Sequence, residues 1–430
     1  MSRAPLPGLS RRNFLSAAPL TGAGGTAAAV PSRKRPRIAA VVSEYRRYSH
    51  AQHIVDRFLW GYGWGNRHHR PSMDVVSVYV DQTPENTLIH DRLRRFPKMK
   101  MYPTIAEALT RGGSRLAVDG VLLIGEHGKY PKNEKGQTLY PRYEWFKEIT
   151  RVFRDSGRSV PVFNDKHLSW KWEWAKEMVD ISRELDFAFL AGSSVPVTPR
   201  LPSIDMPLGV EIEEALCLAV GGMDGYDIHA LEGLQCMVER RRGGETGAAS
   251  IHGLKGDPVY QAMNAGSWQA GGWDPELFQA CLCRSHSLTP HRKGFNHVLP
   301  SMEDVPRLIP ERTPVAYRFE YLDGLKGTIL LMEGLVMDFT FAARLKGGEV
   351  ISTQMFLPPR EVCNFFNPQC HHVEQMFLTG KAGYPVERTL LTTGLTAAGV
   401  ESVWQGQKRL ETPHLNIRYQ PTQESTFWRS

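Results

Sequence analysis

The chain has 430 residues, a formal net charge of +7, 41% hydrophobic residues and six cysteines. That length accommodates two domains, each able to bury a core. No segment reaches 18 consecutive apolar residues, which argues against a stable membrane span, and six cysteines in so long a chain argue against a disulfide framework.

The first feature in chain order is "SRRNFLSAAPLTGAGGTAAAV", residues 10–30. Arg11 and Arg12, then Phe14 and Leu15, then an alanine-rich run resemble a twin-arginine export signal, with Ala27–Ala29 as a small-residue cleavage region. The expected location is periplasmic or otherwise exported, with the twin-arginine export machinery as a partner. Residues 1–29 hold Arg3, Arg11 and Arg12 and no acid, so cleavage leaves a net charge of about +4. Part of that remainder is "RKRPR" at 33–37, which reads as a solvated linker, so no nucleic-acid partner is expected. Residues 1–36 are thus expected to be signal and linker.

"RIAAVV", 37–42, reads as a buried parallel strand. A helix is expected at about 49–60. "DVVSVYVD", 74–81, is a second strand ending in an acid. "MYPTIAEALTRGG", 101–113, has helical spacing and a glycine stop. "VDGVLLIG", 118–125, is a third strand, followed by a helix at 143–157, a strand at 160–165, a helix at 172–186 and a strand at 187–196. This alternation predicts a doubly wound, Rossmann-like parallel sheet over 37–200. Beyond it, "EIEEALCLAV", 211–220, reads as helical. "VAYRFEYLDG" and "KGTILLMEGLVMDFTFAARL" read as longer strands with turns at "LDG" and "KGG". An α+β domain with a mostly antiparallel sheet is therefore expected over 201–420, with a tail at 421–430.

The order of these parts resembles the glucose–fructose oxidoreductase / inositol dehydrogenase (Gfo/Idh/MocA) family. The resemblance rests on "MYPTIAEALTRGGSRLAVDGVLLIG", on "VPVFNDKHLSW" where the family has a strand leading to Glu-Lys-Pro, on "GYDIHALEGLQCMVERRRGGE", and on residues 377–413 as a closing helix. It implies an oxidoreductase acting on a carbohydrate or polyol with a bound NAD(P); an exposed sheet face in the second half would favour a homo-oligomer. It also implies that Lys166 orients a hydroxyl and that His229 is a general base, oriented by Asp227 or Asp224. One departure bears on the cofactor. The place after the first strand, "SEYRRYSHAQH" at 43–53, has no glycine, whereas a dinucleotide fold brings glycine backbone against pyrophosphate there. Arg46 and Arg47 would have to compensate by charge. The alternative is a relative that has lost the dinucleotide and uses Glu, His and Lys residues at strand ends for sugar binding or metal-assisted sugar chemistry.

Ligands of an open parallel sheet bind at the carboxyl ends of its strands. That rule selects Glu44, His50, Asp81, Glu126, His127, Asp165, Lys166 and His167. Glu44, Arg46, Arg47, Asp81 and Asp165 are the expected cofactor contacts. Glu126, His127, Lys166, Asp227 and His229 are the expected catalytic set. The loop "GEHGKYPKNEKGQTLYPR", 125–142, sets an acid and a histidine between glycines. Groups at such an edge are expected to contribute little packing. His50 and His53 read equally as ligands and as a surface pair. Trp268 and Trp273 read equally as sugar platforms and as core. Cys363 and Cys370 beside His371 and His372 read as buried thiols, and no metal ligand set is expected.

Overall fold

The computed structural model describes residues 34–288, 299–309, 313–358 and 362–429. The run at 10–30 that resembles an export signal lies outside them. From Arg35 on, the described residues form one compact unit.

The parallel sheet begins with Arg37–Glu44 (β1), buried from Ile38 onward, as a strand covered on both faces must be. His50–Trp60 (α1) follows. A short hairpin, Tyr62–Trp64 (β2) and Arg67–His69 (β3), comes next. The half is completed by Asp74–Gln82 (β4), Ile89–Arg95 (α2), Lys100–Met101 (β5), Ile105–Thr110 (α3), Gly120–Ile124 (β6), Arg142–Ser156 (α4), Val162–Asp165 (β7), Trp172–Glu184 (α5) and Phe189–Gly192 (β8). The strand order is β5-β4-β1-β6-β7-β8, with every pairing parallel. The order reverses between β1 and β6, so the ligand crevice of the fold opens above their carboxyl ends. On one face Ile105, Leu109, Phe146, Ile149 and Met178 from α3–α5 pack against Val41, Val121 and Leu123.

The second half contains Arg200–Leu201 (β9), Ile212–Ala219 (β10), Asp227–Val238 (α6), Ala248–Lys255 (β11), Asp257–Ala265 (α7), Pro275–Arg284 (α8), Val305–Leu308 (α9), Val315–Tyr321 (β12), Lys326–Leu331 (β13), Phe339–Leu345 (β14), Val350–Met355 (β15), Phe366–Thr379 (α10), Val386–Trp404 (α11) and Arg409–Glu411 (β16). Its sheet runs β16-β11-β12-β13-β10-β14-β15-β9. All pairings are antiparallel except β10 with β13. The fold is therefore a Rossmann-like parallel sheet followed by a mostly antiparallel one.

The expected helix at 211–220 is instead strand β10. Glu, Ala and Leu favour helices locally, but here the side chains alternate between two cores. Ala215, Cys217 and Ala219 face one, and Leu216 and Leu218 face the other. Burial on both sides overrides a weak local preference. Helix α10 returns to the first sheet. Its Phe366, Val373, Met376 and Phe377 join Ile54, Val55 and Phe58 of α1 over Ile38, Ala40 and Val42. Five of the six cysteines are buried, and Cys283 is exposed. Among the described residues, no helix is long and apolar enough to cross a membrane.

Candidate functional site at the carboxyl edge of the parallel sheet

Strands β1, β6 and β7 are neighbours, so their ends bring Glu44, Glu126, Asp165 and Lys166 to one edge. Ser43 ties the two sides of the switch point, its hydroxyl donating to the Glu126 carbonyl at 2.6 Å. Gly125 is required here. A Cβ on it would lie 2.8 Å from Cγ of Arg142, whose side chain runs back under the strand end.

A buried charge network fills the edge. Arg142, fully buried, donates from Nη2 to Oε2 of Glu126 and from Nη1 to Nε2 of His167 at 3.1 Å. Lys166 lies 3.0 Å from Oε1 of Glu126 and donates to the Gly225 carbonyl at 2.9 Å. Burial alone would raise the Glu126 carboxyl, but Lys166 and Arg142 hold it well below the usual range. Burial, then Arg142, pushes His167 well below its ordinary value, which suits an imidazole that accepts from a guanidinium. Glu126 is 8% and Lys166 5% exposed. These groups are packed, contrary to the expectation for an open edge.

His50, the first residue of α1, makes the second arrangement. Its Nδ1 lies 2.6 Å from Oδ2 of the fully buried Asp165. A carboxylate accepts, so Nδ1 carries the proton between them, and Nε2 is the ring nitrogen left for a ligand. The ring meets His127 and Phe366 edge-on, each with centroids 5.2 Å apart. Burial, then the neighbouring His50, pulls His127 down to about 4. Its φ of 70° fits the tight loop of which it is part.

His229 of α6 is drawn well below its ordinary value by burial and then by Lys166, with Glu126 opposing. Its ring meets Tyr226 and Phe339 edge-on, and its Nδ1 is buried with no hydrogen bond. The acids expected to orient it do other work. Asp227 accepts from the amides of Asp224 and Ile228 and from the Tyr317 hydroxyl, and burial raises it to about 6. Asp224 accepts from the Thr138 amide at 2.7 Å.

The expected cofactor contacts all engage their own chain, Asp165 through His50. Glu44 pairs with Arg46. Arg46 also donates to the Arg47 carbonyl, and Arg47 to the Tyr48 hydroxyl. Asp81 accepts from the hydroxyls of Tyr79 and Tyr130, both at 2.8 Å. Of the two tryptophans, Trp273 is fully buried and Trp268 lies under the Arg318 guanidinium, 4.2 Å away.

The turn itself does not fit a dinucleotide's pyrophosphate. Laying G-x-G-x-x-G from Ser43 puts Ser43, Tyr45 and Tyr48 in the glycine places. Tyr45 is fully buried, and its hydroxyl donates to Asp56 at 2.6 Å. Four backbone donors of the turn are already engaged within it. The Arg46 and Gln52 amides go to the Ser49 hydroxyl, the Ser49 amide to the Arg46 carbonyl, and the Tyr48 amide to the Gln52 side chain.

Two participants were missed or left open by sequence reasoning. Arg142 opens a helix and read as the end of a loop. Its only signal was the Tyr-Pro-Arg run just before the helical pattern. His50 read equally as a ligand and as half of a surface pair, because its partner Asp165 stands 115 positions away.

No protein-family model matches the chain, and no curated protein matches it. Solved structures do match in fold. GenD2 from gentamicin A biosynthesis, in complex with NAD, is 12% identical with a TM-score of 0.53, over 88% of this chain and 97% of that one. Myo-inositol dehydrogenase from Lactobacillus casei, in complex with NAD(H) and myo-inositol, is 12% identical with a TM-score of 0.52, over 90% and 99%. A super-repressor mutant of Gal80p from Saccharomyces cerevisiae is 9% identical with a TM-score of 0.50, over 89% and 100%. The two sheets, their strand order and these neighbours together give this chain the fold of the Gfo/Idh/MocA inositol dehydrogenases.

Proposed function

We propose that this chain binds a carbohydrate or polyol at the carboxyl edge of its parallel sheet and moves a proton between a ligand hydroxyl and Nε2 of His50, with no dinucleotide in the β1–α1 turn. The observation that carries the proposal is the His50–Asp165 pair, 2.6 Å apart, where the fold's ligand crevice opens. Asp165 fixes the tautomer and steadies the imidazolium that forms, and such an oriented imidazole is the usual general base for a hydroxyl. Lys166 is held by Glu126 and Gly225 and presents positive charge to an oxygen that loses its proton. The neutral imidazoles of His127 and His229 add hydrogen-bonding groups without adding charge. The sugar or polyol class is supported by the myo-inositol complex of the same fold, as a likeness of fold and not of residues. The export expected from Arg11 and Arg12 belongs to the same proposal.

The competing reading, a nicotinamide-dependent oxidoreductase, is favoured by the NAD complexes among the fold's neighbours. It would require phosphate to displace the bonds that the 43–53 turn makes to itself.

Screening sugars and polyols by thermal shift tests the binding claim. A ligand that raises the melting temperature should bind at least about tenfold more weakly to His50→Gln and Asp165→Asn, a loss of roughly 1.4 kcal/mol. No stabilising sugar or polyol at millimolar supply, or His50→Gln binding as tightly as the parent, would contradict it.

A further inference from the structure

The hairpin insertion at 61–72 and the histidines of α10 take no part in the edge site. They meet each other. Nε2 of His69, on β3, lies 2.6 Å from Oε2 of Glu374. His371 precedes Glu374 by three positions on α10, so the two share one face of the helix. One ring nitrogen of each histidine and one carboxylate oxygen of Glu374 all lie within 4.8 Å of one another. We propose that His69, His371 and Glu374 form a site for a divalent transition-metal ion of the zinc type, which fastens the hairpin to α10.

Four observations support it. First, the donor set is two imidazoles and a carboxylate. That set suits zinc and its neighbours and does not suit magnesium or calcium, which take oxygen ligands. Second, Nδ1 of His371 is buried and makes no hydrogen bond, an expense that a bound cation removes. Third, Glu374 is 1% exposed and is already aimed by its neighbours, the Tyr62 hydroxyl donating to Oε2 at 3.0 Å and the Ser72 amide to Oε1 at 2.8 Å. Such outer partners orient a ligating carboxylate. Fourth, the His371 ring is fixed by stacking on Trp64, 4.0 Å between centroids and 17° from parallel, and Trp64 stacks in turn on Trp428.

Ligands about 2.0–2.2 Å from zinc sit roughly 3–3.5 Å apart. The present spacing, from 2.6 Å to 4.8 Å, therefore needs only small side-chain rotations. The His69 side chain is 19% exposed, which gives an ion a path in and leaves a fourth position for water.

The test uses the full chain, stripped with a chelator, re-equilibrated with zinc, freed of excess and counted by elemental analysis. Cobalt(II) serves as a visible probe of the same ligands. The parent should keep about one equivalent of zinc and melt higher with it than without. His371→Phe keeps a ring against Trp64 and should keep the fold while losing the ion and the cobalt absorption. His69→Gln is the second variant, should His371→Phe fail to fold. A parent that keeps no stoichiometric metal overturns the proposal. So does an equivalent of zinc that survives in the folded variants, because the ion then sits elsewhere.

Discussion

Glu126 shows how a residue can be both site and scaffold. Its two oxygens answer two cations, Lys166 and Arg142, in surroundings that exclude water. Glu126→Gln leaves both cations without a counter-charge, and breaking a buried pair in this way costs about 3–5 kcal/mol. Denaturant unfolding should show that loss. A change below about 0.5 kcal/mol would mean the carboxylate is not part of a packed network. His127 gives a pH signature. Its ring is neutral in the folded chain down to about pH 4, whereas an unfolded chain takes the proton from about 6.5. Between those values the unfolded state binds more protons, so stability falls as pH falls through that window. The share from His127 is on the order of 3 kcal/mol. His127→Asn, which tolerates the same positive φ, should flatten the stability curve between pH 6.5 and 4. An unchanged slope would assign the acid sensitivity to other groups.

Among elements, the β1–α1 turn decides most. Ser49 caps α1, accepting from the Gln52 amide, and the same hydroxyl donates to the Arg46 carbonyl. Ser49→Ala should cost about 1 kcal/mol by thermal or denaturant unfolding, and no measurable cost would show that the turn does not depend on this cap. The turn also marks what the sequence could tell. A glycine-free 43–53 was legible as a departure from a dinucleotide fold, because glycine's role there is a backbone requirement readable at single positions. The alternation of strands and helices up to residue 196 was legible for a related reason, since strands buried on both faces are short continuous apolar runs. Strand β10 was not legible. Its alternation feeds two apolar cores, so neither face is polar and no period shows. The His50–Asp165 pair was hidden by distance along the chain, and the Glu126–Arg142 pair by a 16-position loop with no periodic pattern to align its two ends. Glu126, Asp165 and His50 were picked out singly as groups at strand ends, but their pairings were not, because only the fold sets α1 against the end of β7 and turns the start of α4 back to the end of β6.

At the scale of the whole molecule, the chain shares a two-sheet architecture with structures solved with NAD at 12% identity, while its β1–α1 turn has no glycine. Architecture is set by buried alternation and strand order, which many sequences satisfy. Ligand choice is set by a few groups at strand ends. Export is tested separately, because it depends on a segment that need not enter the fold. Replacing Arg11 and Arg12 by Lys should hold the protein in the cytoplasm, as read by cell fractionation, and normal export of the double variant would remove that assignment. The central claim is a proton-moving edge site with no dinucleotide in its turn. It is tested most directly by denaturing protein purified with its leader intact and identifying the released small molecules by mass, alongside titration of the native chain with NAD+, NADH, NADP+ and NADPH up to millimolar supply. The account predicts no released dinucleotide and no saturable binding of any of the four. A stoichiometric dinucleotide released on denaturation would contradict it.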